Sequence, residues 1–127
     1  MINEIKCYVI NLDRSKKRMS EFNEAFSGTN LKVERIAAVD GNSIKIECFS
    51  NDFLCRKEMG RSIQPGEVGC YLSHKKVLEK FLSTGSKYAI VFEDDAIPED
   101  GFRDTLESLI EQFLENNKET AAINLGA

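Results

Sequence analysis

Three consecutive acidic residues, Glu93, Asp94 and Asp95, directly follow a short apolar run and are the residues of this sequence best suited to chemistry. Adjacent carboxylates repel one another, and they are costly beside an apolar strand unless a cation neutralises them. Their oxygens suit a hard ion such as Mg2+ or Mn2+, which can act as a Lewis acid on a phosphate leaving group. Alternation along a strand places Glu93 and Asp95 on the same side, so this E-x-D pair could hold such an ion. The triplet alone fits a solvated strand end equally well.

Polar residues also follow the two earlier strand patterns of the chain. Asn11, Asp13 and Arg14 come after the first apolar run, and Asp40 with Gly41 comes after the second. In open parallel sheets, ligands bind beyond the carboxyl ends of the strands, so these residues and the acidic triplet could meet in one cleft. A basic cluster over residues 14–18 could receive phosphate there, although a solvated helix face is the commoner explanation of such a cluster.

His74 is the only histidine of the chain. Imidazole titrates close to neutral pH, which invites a role as an acid or a base. Tyr71, Leu78 and Phe81 share its helical face, however, and this favours a hydrogen-bonded histidine in the core.

The four cysteines show neither a paired C-x-x-C spacing nor a nearby pair of histidines, so we expect no zinc site. Cys7 lies in a strand pattern and Cys70 in a helix pattern. Both positions are typical of small buried residues in a reducing compartment.

Strand and helix patterns alternate along the chain and must position these groups. Apolar runs predict strands over residues 5–12, 31–39, 87–92 and 120–125. Apolar residues at helical spacing predict helices over residues 15–28, 68–82 and 98–116. The region 42–60 has poor periodicity and predicts a loop with one short helix. Because helices separate the strands, we predict an α/β fold with a mostly parallel sheet flanked by helices.

Length and composition narrow the class of protein. The 127 residues suffice for one domain, which we place at 1–127, and 42% hydrophobic with 30% charged residues is typical of a globular protein. A net charge of -4 without a basic tract argues against nucleic-acid binding. We find no signal-peptide pattern and no apolar run of about 20 residues. We therefore expect a cytoplasmic protein, with peripheral contact at the inner membrane face left open.

The chain stops as the fourth strand pattern ends, with no covering helix after it. This indicates a truncated fragment of a larger domain. An incomplete sheet exposes an edge and an apolar face, so we expect a homodimer or aggregation.

Four stretches together resemble glycosyltransferase family 25, the lipooligosaccharide-type galactosyltransferases that also include collagen galactosyltransferases. They are residues 9–14 with Arg18, residues 35–41, residues 65–74 and residues 89–96. The resemblance spans nearly the whole chain but only the N-terminal half of the family's catalytic domain. It implies a GT-A-like, Rossmann-like fold.

The resemblance also implies an activity. This is the metal-assisted, inverting transfer of a hexose, usually galactose, from a UDP-sugar to a lipooligosaccharide-type saccharide acceptor. Glu93 and Asp95 would face Mn2+ or Mg2+. The residues near the donor would be Asn11, Asp13, Arg14, Arg18, Asp40 and Asp94. Glu67 and His74 would border the cleft as weak candidates for the general base, which we expect beyond Ala127.

Two alternatives stay open. A non-catalytic remnant could bind only a nucleotide or a protein partner. A receiver-type signalling domain would also place magnesium-binding acids at a strand end, but it needs a further phosphorylatable aspartate and a late-strand lysine. Nothing in the sequence is placed like that pair.

Overall fold

A computed structural model describes residues 5–116 and 122–126 of the chain. Three parallel strands and four α-helices alternate within these residues. The strands are β1 (Lys6–Asn11), β2 (Val33–Ala37) and β3 (Ala89–Glu93). The helices are α1 (Lys16–Phe26), α2 (Asp52–Met59), α3 (Pro65–Thr84) and α4 (Phe102–Glu115). The predicted α/β fold with a parallel sheet and flanking helices is confirmed, and it is consistent with a Rossmann-like arrangement.

The sheet has the strand order β2-β1-β3, so β1 is central. Its Ile10 lies opposite Ile36 of β2 and opposite Glu93 of β3. Five of its six residues, from Cys7 to Asn11, are buried. This is the burial expected of a strand covered on both faces. Because all three strands run the same way, their carboxyl ends lie at one edge of the sheet.

Alternate residues of β1 point into two apolar clusters. On one face, Cys7 and Val9 pack with Phe22 and Phe26 of α1 and with Phe92 of β3. The rings of Phe22 and Phe26 stack with their centroids 4.2 Å apart. On the other face, the cluster consists of Tyr8, Ile10, Ile36 and Val77, the last from α3. The helices therefore cover both faces of the sheet.

Helix α3 buries a different face from the one predicted. Its buried residues are Val68, Gly69, Ser73 and Val77. Two side chains predicted to lie on its apolar face, Tyr71 and Leu78, are exposed. Small residues face the sheet because this helix approaches the neighbouring backbone closely, and small residues contribute little hydrophobic signal. The predicted burial of Cys70 is wrong for the same reason, since Cys70 is exposed.

Two further predictions differ from the structure. Helix α4 begins at Phe102, after Gly101 adopts a left-handed φ of 76°, and not at residue 98. The fourth strand predicted over 120–125 is not observed in its described part, because residues 122–126 are irregular and exposed. Residues 120 and 121 lie outside the described residues.

Helix α2 is the short helix predicted within 42–60. At its start, the Asn51 side chain accepts a hydrogen bond from the Leu54 backbone N–H.

None of the helices in the described part of the chain combines the length and the hydropathy that a bilayer-crossing helix requires.

Candidate functional site

A cleft of about 310 Å3 opens where the strands end, between the sheet edge, the loop after β2 and the first half of α3. Six of the residues singled out in the sequence line this cleft: Arg14, Arg18, Asp40, His74, Glu93 and Asp94. They come from four separate parts of the chain, and the parallel sheet brings them together. Their roles in donor and metal binding stay predictions.

Asn11, the last residue of β1, links all three strands at this edge. Its side chain is buried, with the residue only 2% exposed. The amide Nδ2 donates to Asp94 Oδ2 at 2.8 Å and to the Ser15 carbonyl at 3.0 Å. The amide Oδ1 accepts from Arg35 Nε on β2 at 2.9 Å. Each polar atom of this buried side chain is therefore paired, as a stable buried amide requires.

Asp94 is the most enclosed acid of the triplet, with a side chain 10% exposed. Besides the bond from Asn11, its Oδ1 lies 2.7 Å from Arg18 Nη2. Arg18 also lies 3.6 Å from Asp95 Oδ2, so this guanidinium serves two carboxylates. Asp94 consequently positions Arg18 at the cleft. Both carboxylate oxygens of Asp94 already have a partner.

The alternation expected to align Glu93 with Asp95 does not extend that far. Strand β3 ends at Glu93, and a turn follows in which the Ala96 N–H donates to the Glu93 carbonyl at 3.1 Å. Glu93 lines the cleft with a side chain 62% exposed. The Asp95 side chain is 67% exposed. Neither carboxylate has an ionic contact shorter than 3.6 Å in the described residues, so their oxygens, which are of the kind that hard cations prefer, are accessible.

The loop after β2 contributes a second charged pair. Arg14 and Asp40 form an ion pair at the cleft, and the Asn42 backbone N–H donates to the Asp40 carboxylate at 3.1 Å. The bond from Asn42 and then the one from Arg14 hold the pKa of Asp40 below its ordinary value. Asp40 is therefore ionised at neutral pH.

Helix α3 is fixed against the end of β2 by backbone contacts. A Cβ atom at Gly69 would lie 2.7 Å from the Val39 carbonyl oxygen, and one at Gly41 would lie 1.7 Å from the Pro65 carbonyl oxygen. Only glycine permits this approach. The buried Ser73 hydroxyl adds two hydrogen bonds, since it donates to the Gly69 carbonyl at 2.6 Å and accepts from the Val39 N–H at 2.8 Å.

Replacing Ser73 with alanine tests this attachment. The change leaves the Val39 N–H without its partner, so we expect a loss of about 1–3 kcal/mol in the free energy of unfolding. Urea unfolding measures it. Ser83→Ala is the matched control, because within the described residues the exposed Ser83 hydroxyl bonds only to the Lys80 carbonyl of the same helix. Equal effects of the two changes would contradict the attachment of α3 through Ser73.

Asp13 and Glu67 do not line this cleft. The Asp13 carboxylate is 2.7 Å from Arg35 Nη2 and lines a neighbouring groove with Asn11 and Arg35. Glu67 is paired with Arg61, with Glu67 Oε1 at 2.7 Å from Arg61 Nη1. The role of Arg35 is not predicted by the sequence, in which Arg35 is only the first residue of the 35–41 stretch. The available signal is an arginine directly before the apolar residues 36–39.

His74 is not a core histidine. Its side chain is 43% exposed, lines the cleft, and has Nε2 3.8 Å from Glu93 Oε1. One helical turn earlier, Cys70 also lines the cleft. Desolvation and then the Glu93 carboxylate raise the pKa of the Cys70 thiol.

Comparison with known proteins gives consistent matches. A family model described as "Glycosyltransferase family 25 (LPS biosynthesis protein)" matches residues 4–125. The chain is 34% identical over 125 residues to "Probable inactive glycosyltransferase 25 family member 3" of Rattus norvegicus, covering 94% of this chain and 22% of that protein. It is 33% identical over 94 residues to "Glycosyltransferase 25 family member" of Aedes aegypti, covering 69% and 16%. It is 29% identical over 112 residues to "Procollagen galactosyltransferase 2" of Mus musculus, covering 84% and 18%. The chain thus spans about a fifth of the length of these curated relatives.

Proposed function

This chain belongs to glycosyltransferase family 25, and from that premise we propose that its cleft binds the diphosphate of a UDP-hexose, with galactose as the hexose. The protein would transfer the sugar to a saccharide acceptor of the lipooligosaccharide type. The observation that carries the proposal is the convergence of Arg14, Arg18, Glu93 and Asp94 on one cleft at the carboxyl edge of a parallel sheet.

Arg14 and Arg18 supply positive charge for the diphosphate. Their side chains are 61% and 50% exposed, so both guanidinium groups are accessible from the cleft. Guanidinium groups bind phosphate oxygens in a bidentate manner. Asp40 and Asp94 hold these two arginines in place, which limits the conformational entropy lost when a diphosphate binds.

Glu93 and Asp95 are the residues that would hold Mn2+ or Mg2+. A bound divalent ion supplies Lewis-acid stabilisation of the negative charge that develops on the leaving diphosphate. The protein's own part is to keep Asp95 near Arg18 and to place Glu93 in the cleft that Arg14 and Arg18 also line, so that a cation and a phosphate are attracted to adjacent places. Asp94 supports this arrangement by holding Arg18 rather than by binding the ion.

The base that activates the acceptor is proposed to lie outside these 127 residues. Glu67 is turned away into its pair with Arg61. His74 faces the cleft beside Glu93, where donor binding is proposed. The chain covers about a fifth of the length of the matched relatives. We propose that acceptor binding belongs to the other four fifths of such a protein.

A second candidate function is donor binding without transfer. It is favoured by one observation, that the rat relative carries the word "inactive" in its name. Both functions require the same cleft. They differ in whether sugar release from UDP-galactose accompanies binding, which a hydrolysis and transfer assay on the full-length protein measures.

Binding of UDP-galactose with and without Mn2+, followed by calorimetry, tests the proposed site. We expect binding to require the metal and to weaken at least about tenfold, or 1.4 kcal/mol, in Asp95→Asn. Asp100→Asn is the matched control, because it removes the same charge from an exposed acid that, within the described residues, forms no ion pair with Arg18. Metal-independent binding, or equal affinities of the two variants, would refute the proposed metal site.

A further inference from the structure

We infer that Cys70, His74 and Glu93 form a binding site for one Zn2+ ion in the wall of the cleft. One ligand atom from each residue, a thiol sulfur, an imidazole nitrogen and a carboxylate oxygen, lies within 4.8 Å of the other two. The inference rests on this geometry and does not depend on the proposed transferase activity.

The distances fit a tetrahedral ion. Zinc bonds of about 2.0–2.3 Å place neighbouring ligand atoms about 3.3–3.8 Å apart. His74 Nε2 and Glu93 Oε1 already lie 3.8 Å apart. No two ligand atoms of the group lie more than 4.8 Å apart, so the excess over the tetrahedral value is at most about 1.5 Å, which rotation of an exposed side chain can close.

Two rigid elements hold the three side chains. Cys70 and His74 are four residues apart on α3, so they lie on the same helical face. Helix α3 is held against residues 39–41 by the glycine contacts and by Ser73. Glu93 is the last residue of β3 and points from the sheet edge towards them. The site is thus positioned by packing that exists without an ion.

The ligand atoms are available for a metal. Among the side-chain hydrogen bonds of the described residues, none involves the Cys70 sulfur or the His74 ring, and the Glu93 carboxylate contacts only His74 among basic groups. A plain ion pair between His74 and Glu93 would account for two members of the group. It leaves the exposed thiol beside them without a role.

Ligand chemistry selects zinc over the ions proposed for the donor site. Thiolate and imidazole favour Zn2+, whereas Mg2+ and Mn2+ favour oxygen ligands. On binding, the Cys70 thiol releases its proton to solvent, so that a thiolate, a carboxylate and a neutral imidazole together balance the charge of the ion. Water takes the fourth position, which makes this an open site.

Sequence spacing did not predict this site, because the third ligand lies nineteen residues after His74 and only the fold brings it near. Since Glu93 also belongs to the proposed donor site, Zn2+ and the donor's metal would compete for this carboxylate. Zinc binding is nevertheless measurable in the absence of any sugar nucleotide.

Titration of the tag-free chain with Co2+ under a phosphine reductant tests the site, because Co2+ reports its ligands in its absorption spectrum. We expect a thiolate-to-metal charge-transfer band and tetrahedral visible bands that Zn2+ abolishes at one equivalent. Cys70→Ser should remove the charge-transfer band. Loss of an outer-shell partner lowers metal affinity roughly 10–100-fold. His74→Gln and Glu93→Gln should each lower the affinity for Zn2+ by more than that.

Two controls separate this site from other thiols and from the donor site. Cys48→Ser removes another exposed thiol outside the group, and it should leave the spectrum unchanged. Asp95→Asn should weaken Mn2+-dependent donor binding and should leave Zn2+ binding unchanged. Absence of Co2+ and Zn2+ binding by the unaltered chain overturns the inference, as does a charge-transfer band that survives Cys70→Ser. Either result leaves the donor proposal standing.

Discussion

A single methyl group at position 69 is expected to destabilise the chain by about 3 kcal/mol. In Gly69→Ala, the new Cβ would lie 2.7 Å from the Val39 carbonyl oxygen and 2.8 Å from the Gly41 nitrogen. Both are backbone atoms of a loop that cannot swing away as a side chain could. Helix α3 must therefore move away from residues 39–41, and this movement opens the cleft. Urea unfolding and UDP-galactose binding measure the two consequences.

Gly66→Ala is the matched control on the same helix. A Cβ atom at Gly66 would have no atom within 4 Å, and its φ is not positive. This change should be neutral or should stabilise the chain by up to about 1 kcal/mol, through the smaller entropy of the unfolded state. If the two alanine variants unfold at the same urea concentration, the close packing of α3 on the β2 loop is wrong.

Asn11→Asp is expected to destabilise the chain by about 2–4 kcal/mol at neutral pH, although the change is isosteric. It removes the amide donor to Asp94 and places a second carboxylate 2.8 Å from Asp94 Oδ2. Two carboxylates this close retain one proton with a raised pKa. The folded variant then binds that proton more tightly than the unfolded chain does, so its stability rises as the pH falls and is lost as the pH rises through the raised value.

A reciprocal change gives the sharpest check. Combining Asn11→Asp with Asp94→Asn restores one amide and one carboxylate, with the donor on the other residue. The double variant should recover at least half of the loss, measured as the coupling in a double-mutant cycle. Asn23→Asp, on the exposed face of α1, controls for the added charge and should change stability by less than about 0.5 kcal/mol. Independent, additive effects of the two changes would contradict the bond between Asn11 and Asp94.

Much of the architecture could be predicted because the relevant signals are local. The apolar run of β1 indicates a strand covered on both faces, and the intervening helices indicate parallel pairing. From these two facts follows the prediction that side chains after each strand share an edge. Arg14, Asp40 and Asp94 do lie at that edge around one cleft.

The features that could not be predicted depend on the close approach of one backbone segment to another and on partners that are distant in the sequence. The buried face of α3 is formed partly by Gly69 and Ser73, whose small side chains carry no hydrophobic pattern. The turn after Glu93 ends the strand alternation, so Asp94 is the acid directed inward. The partner that Asp94 finds there, Asn11, is 83 residues away in the sequence, and no local pattern reports such a pairing.

The central position of β1 also sets the order in which the cleft can assemble. Asn11 meets Arg35 of β2 across 24 residues and Asp94 across 83. Closing the longer loop costs about 1 kcal/mol more in chain entropy than closing the shorter one. Pairing of β1 with β2 is thus the less costly first step. The later pairing of β3 with β1 brings Glu93 and Asp94 to the cleft. Arg14, Arg18 and Asp40 thus belong to the early half of the fold, and Glu93 and Asp94 join them only when β3 pairs.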